Sequence, residues 1–170
     1  MKETKLRVHL WDDRILKNKC KPVKEVTQNI RELLEEMYSL MKAEGGVGLA
    51  ANQVGIDLCL VVIQTQEGLF KLINPRIIKK EGRIELEEGC LSFPNITLSI
   101  KRAEKVWVSS SDEKGNPFDI EAEGVLAVVL QHEIDHINGI VFIERIPFLR
   151  RMRLRNKLKE IKNRKKSGVQ

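Results

Sequence analysis

The chain is short of cysteine, of histidine and of long apolar runs, and each shortage excludes something. Its three cysteines, Cys20, Cys59 and Cys90, are an odd number with no CxxC spacing. A disulfide framework is therefore not expected, and a reducing compartment is. No apolar stretch approaches the roughly 18 residues that span a bilayer, so no membrane partner is expected. Met1 to Thr4 lead into mixed polar sequence without the apolar centre of a secretory signal, which makes the cytoplasm the expected location. There is no internal repeat. At 170 residues the chain fits one domain that buries its core unaided, so a metal would serve chemistry rather than folding.

Charge is present but unevenly spread. The net value of +6 conceals a segment from 148 to 170 with ten Lys or Arg against one acid, Glu160, a balance of +9. The other 147 residues carry 20 basic and 23 acidic side chains, or −3. A division follows into a body over 1–148 and a basic helical tail over 149–170. Leu149, Met152, Leu154, Leu158 and Ile161 give the tail a thin apolar stripe, read as a helix projecting from the body. Such a tail is either a solvated helix face or the electrostatic footprint of a phosphate-rich partner.

Periodicity supplies the elements. Val26, Ile30, Leu33, Leu34, Met37, Leu40 and Met41 recur at helical spacing, predicting an amphipathic helix over about 24–43 that stops at Gly45-Gly46. Strands are expected at 58–63, 70–78 and 82–87. A hairpin is expected over 105–122, with Lys105 to Ser111 alternating and Asp112 to Pro117 turning. A second helix is expected over 124–137, and Asn138-Gly139 sits where a left-handed C-cap belongs.

Two of the three histidines stand in Gln131-His132-Glu133-Ile134-Asp135-His136. Four residues apart, they share a helix face and can close on one metal ion, with Glu133 beside whatever water that metal holds. Val128 and Val129 lie one turn earlier on the face of His132, where they either wall an apolar pocket or pack in the core. A catalytic site usually has a third protein ligand. Phe142 occupies the final histidine position of the longer HExxHxxGxxH pattern and cannot bind metal. Glu144 is crowded behind the helix, and Glu160 lies in the tail. Cys90, within Glu88-Gly89-Cys90-Leu91-Ser92-Phe93-Pro94, is the remaining soft ligand and would favour zinc or a ferrous-type ion. The alternative is a buried free thiol, as read for Cys20 and Cys59. Gly46 to Gly55 is glycine-rich without the spacing of a phosphate loop; close backbone approach to a ligand or strand fits it better, and Gln53 there supplies an amide donor.

With Gly46 to Gln53, Glu88 to Ser92 and His132 to His136 matching GxGxAAxQ, EGCxS and HExxH in order, the chain resembles the peptide deformylases. The likeness runs from about Leu6 to Phe148. Asn52 departs from a common proline, and Trp11-Asp12-Asp13 from a common aromatic-Pro-Asp. The resemblance implies an α+β fold, with antiparallel strands wrapped around a central metal-binding helix, an N-terminal amphipathic helix and a basic C-terminal helix. It implies removal of the formyl group from the N-terminal formylmethionine of nascent polypeptides.

Carried over residue by residue, Cys90, His132 and His136 are the implied metal ligands, Glu133 the general base, and Gln53 with the Leu91 backbone N–H the oxyanion donors. Val47, Gly48, Gly89, Val128 and Val129 are the implied substrate contacts. Ferrous iron is the implied cellular metal, with zinc, nickel or cobalt able to take its place. The implied partners are formylmethionyl nascent peptides and, through the tail, the ribosome, but not DNA. Glu88 and Arg102 either pair to brace the Cys90 loop or stand separately at the surface. Two other classes stay open: an HExxH metallopeptidase, and a noncatalytic ribosome or RNA-binding protein.

Overall fold

The computed structural model describes residues 6–166, and for 160–166 the backbone alone. The polypeptide folds as α+β. After a 3-10 turn, η1 (Arg14–Lys17), come α1 (Gln28–Ala43), β1 (Gly48–Ala50), a second 3-10 turn η2 (Ala51–Val54), β2 (Leu60–Thr65), β3 (Gly68–Glu81), β4 (Ile84–Gly89) and β5 (Thr97–Arg102). β6 (Lys105–Ser111), β7 (Pro117–Glu123), α2 (Gly124–Ile137), η3 (Phe142–Arg145) and α3 (Phe148–Lys166) complete the order. Five strands form an antiparallel sheet in the order β1-β2-β3-β6-β7, and β4 pairs with β5 in a second sheet.

β2 shows why the fold needs helices on two sides. Its run Leu60-Val61-Val62-Ile63 is apolar without alternation, and all four residues are buried. Val61 and Ile63 pack with Ala127, Leu130 and Ile134 of α2, whereas Leu60 and Val62 pack with Leu34, Met37 and Met41 of α1. A strand covered on both faces has no solvent side to keep polar. A third cluster joins Leu16, Phe93, Leu98, Ile100, Phe142, Ile143 and Leu158.

Several expectations need correction. α1 starts at Gln28, because Thr27 adopts the extended backbone of an N-cap and Val26 packs ahead of the helix. Arg31 turns back to donate to the Val26 carbonyl at 3.1 Å, closing the helix entrance. β1 and β5 were not foreseen. β1 is three residues long and hides in the glycine-rich segment, and β5 carries little alternation beyond Leu98 and Ile100. The β6–β7 hairpin and α2 fall where the pattern places them, and Gly139 has the left-handed φ of +75° expected after the helix. The tail does not simply project: Leu158 is buried in the third cluster, with Leu154 packed against it.

Candidate active site

α2 is the element on which the site is built. Every residue from Leu130 to Ile137 is buried, polar ones included. His132 and His136 sit one turn apart with ring centroids 5.0 Å from each other. Cys90 immediately follows β4, and its Sγ lies 3.2 Å from His136 Nε2. Cys90, His132 and His136 each offer a ligand atom, all within 4.8 Å of one another. One thiolate and two imidazoles at that separation suit a tetrahedral ion with one position open. The donor set thus fits a soft or borderline divalent metal.

The surroundings orient these candidate ligands. Glu88 Oε2 lies 2.7 Å from His132 Nδ1, which leaves Nε2 turned toward the shared centre. Arg102 grips both Glu88 oxygens, at 2.7 and 2.9 Å, and reaches Asp135 at 2.5 Å. Glu88 and Arg102 are thus a buried pair and not two surface residues. Asn52, the departure from proline, donates to the His136 carbonyl at 2.5 Å and ties η2 to the end of α2; a proline has no donor for this.

Glu133 is 4% exposed, and its Oε2 has no hydrogen-bond partner among the described residues. Gly48 is needed beside it, since a Cβ there would stand 2.4 Å from Oε1. Burial pushes the Glu133 carboxyl up to about 7, against the pull of the His132 charge. Burial presses His132 the other way, but hydrogen bonds with Cys90 and Glu88 lift it to about 10. His136 is held well below the ordinary value by burial and by His132. A divalent cation held by Cys90, His132 and His136 would compete with protons for the same side chains.

Gln53 is 1% exposed and held at both ends of its amide. Its Oε1 accepts from the Ala50 N–H at 2.9 Å, so Nε2 is the end directed at Ser92 Oγ (3.1 Å) and Cys90 Sγ (3.5 Å). Val47, Gly48, Gln53, Gly89, Cys90, Leu91, Val128, Val129, His132 and Glu133 all line one cavity of about 780 Å³. Val47 stands at its rim, 56% exposed, while His136 lies fully buried behind it.

Sequence reasoning missed residues that touch the candidate ligands or their partners. Ser92, Asp135 and Arg145 were not singled out, and Phe142 was considered only as a failed ligand. It lies instead with its ring centroid 5.6 Å from that of His132. Asp135, three residues beyond His132 on the same helix, was the available signal: a carboxylate on a helix buried on all sides needs a cationic partner.

The polypeptide deformylase family model matches residues 5–152. A peptide deformylase structure from Legionella pneumophila shares 40% identity at a TM-score of 0.86, covering 93% of this chain and 95% of that one. The peptide deformylase of Thermus thermophilus shares 36% identity at 0.87, covering 96% and 98%. A plant peptide deformylase shares 32% at 0.88, covering 99% and 96%. The chain belongs to the polypeptide deformylase family.

Proposed function

We propose that Cys90, His132 and His136 hold one divalent metal, that Glu133 moves the proton, and that Gln53 and the Leu91 backbone N–H receive the developing negative charge. Membership of the family brings the reaction: hydrolysis of the N-formyl group from the N-terminal methionine of newly made polypeptides, with release of formate. The observation that supports the residue assignment is the convergence of three candidate ligand atoms within 4.8 Å beside a buried carboxylate oxygen that has no hydrogen-bond partner among the described residues.

When bound, the metal supplies Lewis acidity, which acidifies water and polarises a carbonyl oxygen. The chain does the rest. Glu133 takes the proton of the attacking water and passes it to the departing amine, a role suited to a carboxyl raised toward neutrality. Gln53 Nε2, fixed by its other end, donates to the oxyanion; loss of one such donor costs about 3 to 4 kcal/mol of transition-state stabilisation. The substrate lies extended along Gly46 to Gly48 and Gly89, with its methionine side chain between Val47, Val128 and Val129.

The thiolate favours ferrous iron or zinc over magnesium or calcium. Ferrous iron is the proposed cellular metal, with nickel and cobalt as oxygen-stable substitutes. The iron form should then lose activity in air while the nickel form keeps it. The proposed setting is the cytoplasm, with the basic tail docking on ribosomal RNA.

A metallopeptidase would need a third His or Glu ligand, and the group assembled among the described residues has Cys90 in that place. A noncatalytic site has no use for a buried general base. Release of formate from formyl-Met-Ala-Ser, with and without chelator, tests the assignment: chelator should abolish it and metal restore it. Cleavage of an internal peptide bond instead would overturn it.

A further inference from the structure

We propose that Arg145 is a positioning residue for the metal site: through Asp135, Arg102 and Glu88 it fixes the ring of His132, and so links the root of the C-terminal helix to metal affinity. The inference rests on the metal reading above.

Four charged side chains form one unbroken chain to that ring. Arg145 holds both oxygens of Asp135, at 3.0 Å through Nε and by a shorter contact through Nη2. Asp135 receives Arg102 Nη1, and Arg102 in turn clamps both oxygens of Glu88, which meets His132 Nδ1. Two positive and two negative charges cancel within the chain. The Glu88 and Arg102 side chains are 4% and 3% exposed and that of Asp135 is 11%, while Arg145 is 37% exposed. The network therefore reaches solvent chiefly at Arg145.

Removing Arg145 leaves Asp135 with Arg102 as its one cationic partner among the described residues and makes the charge of the group more negative by one unit. In a low dielectric that imbalance draws the Arg102 guanidinium toward Asp135 and away from Glu88. The loosened Glu88 then directs the His132 ring less firmly. Partners of metal ligands in this position typically govern affinity by 10- to 100-fold.

A second contact comes from the same turn. Residues three apart in a 3-10 turn eclipse one another, so Phe142 and Arg145 of η3 face α2 together. The Phe142 ring tilts against His132 at 5.6 Å and meets Phe93 edge-on at 5.3 Å. α3 rests on this turn, through Arg155 to Glu144 at 3.6 Å and through Leu158 in the cluster with Phe142.

The test compares wild type, Arg145→Ala, Arg145→Lys and, as a control for general destabilisation, Val62→Ala, which lies in the α1 cluster. Cobalt affinity is read by competition with a chromophoric chelator, and thermal unfolding is followed on the metal-free proteins. Arg145→Ala should lose about tenfold or more in affinity. Arg145→Lys should fall between, since it keeps the charge without the fork. Val62→Ala should unfold earlier yet bind as wild type does. Wild-type affinity in Arg145→Ala, or an equal loss in Val62→Ala, overturns the proposal. Should Arg145→Ala fail to fold, Arg145→Lys against wild type decides in the same way. A wild-type protein that binds no cobalt would sink the metal assignment itself, which is a separate failure.

Discussion

α2 and α3 are both rich in polar side chains and use them in opposite ways. α2 turns Gln131, His132, Glu133, Asp135 and His136 inward, whereas α3 leaves Arg150, Arg153, Lys157 and Lys159 in water. Burying such groups is costly unless each finds a partner. Gln131 finds the Ala103 backbone at 3.1 and 2.8 Å, Asp135 two arginines, and His132 a carboxylate. The Oε2 of Glu133 and the Nδ1 of His136 find none among the described residues. A helix that accepts this cost inside the protein is organised for chemistry. One that keeps its charge outside is organised for solvent or for a partner surface.

The sharpest way to break the comparison is within α2. Glu133→Ala should bind metal normally and lose 10²- to 10⁴-fold in deformylation, because a general base is not a ligand. Cys90→Ala and His136→Ala should lose metal and activity together. Metal analysis of the purified variants alongside formate release separates the two roles. Full activity in Glu133→Ala would remove the mechanistic reading of α2.

The next effect is on stability. Arg102→Ala takes from Glu88 its bidentate partner and from Asp135 one of its two arginines, and breaking a buried pair from one side costs about 3 to 5 kcal/mol. The pH dependence has a definite sign. Burial works against the Glu88 carboxylate, but Arg102 and His132 hold it below the usual range. Its contribution is therefore complete above the unfolded carboxyl value near 4.3 and is lost as pH falls through the lower folded value. Denaturant midpoints should drop steeply below about pH 4 in wild type and more shallowly in Glu88→Gln, which starts from a lower stability at neutral pH.

α3 can be divided against itself. Leu158→Ala opens a hole in the cluster that contains Phe142 and should cost about 2 to 5 kcal/mol. Alanine at Arg150, Arg153, Lys157 and Lys159 should leave unfolding and hydrolysis of a free formyl tripeptide unchanged while removing co-sedimentation with ribosomes. That binding should weaken with salt by about 0.7 to 0.9 log units per log unit for each phosphate neutralised. Deleting everything from residue 150 onward mixes the two effects, because Leu158 goes with the charges. Co-sedimentation that survives the four alanines would reduce the tail to a solvated face.

What was legible in the sequence follows from the same contrast. α1 and β6–β7 declare themselves through periodicity, since one face meets water and the other the core. The proposed histidine ligands declare themselves through spacing, since one turn of helix separates His132 from His136. β1 was hidden because close packing against Glu133 demands glycine at Gly48, and glycine reads as loop. Asp135 and Arg145 were obscure for another reason. Their partners lie 10 to 33 residues away in the chain, and only the folded arrangement of β5, α2 and η3 brings them together. Leu158 was misjudged because a thin stripe among basic residues looks unpartnered until the cluster around Phe93 and Phe142 is in place.

The smallest effect concerns the three thiols. Burial pushes the Cys20 thiol up to about 12, and burial raises Cys59 as well. Their thiolate fractions at pH 8 are correspondingly small, and thiolate is the form that alkylates. Cys90 borders the cavity and faces the Gln53 amide and His136. Iodoacetamide at pH 8 should therefore modify the metal-free protein at Cys90 well before Cys20 or Cys59, and bound nickel should protect Cys90 without changing the other two. Peptide mass analysis over a time course reads all three at once. Labelling of Cys20 first, or nickel protection spread over all three cysteines, would mean that the contrast between a chemical thiol and two packing thiols does not hold.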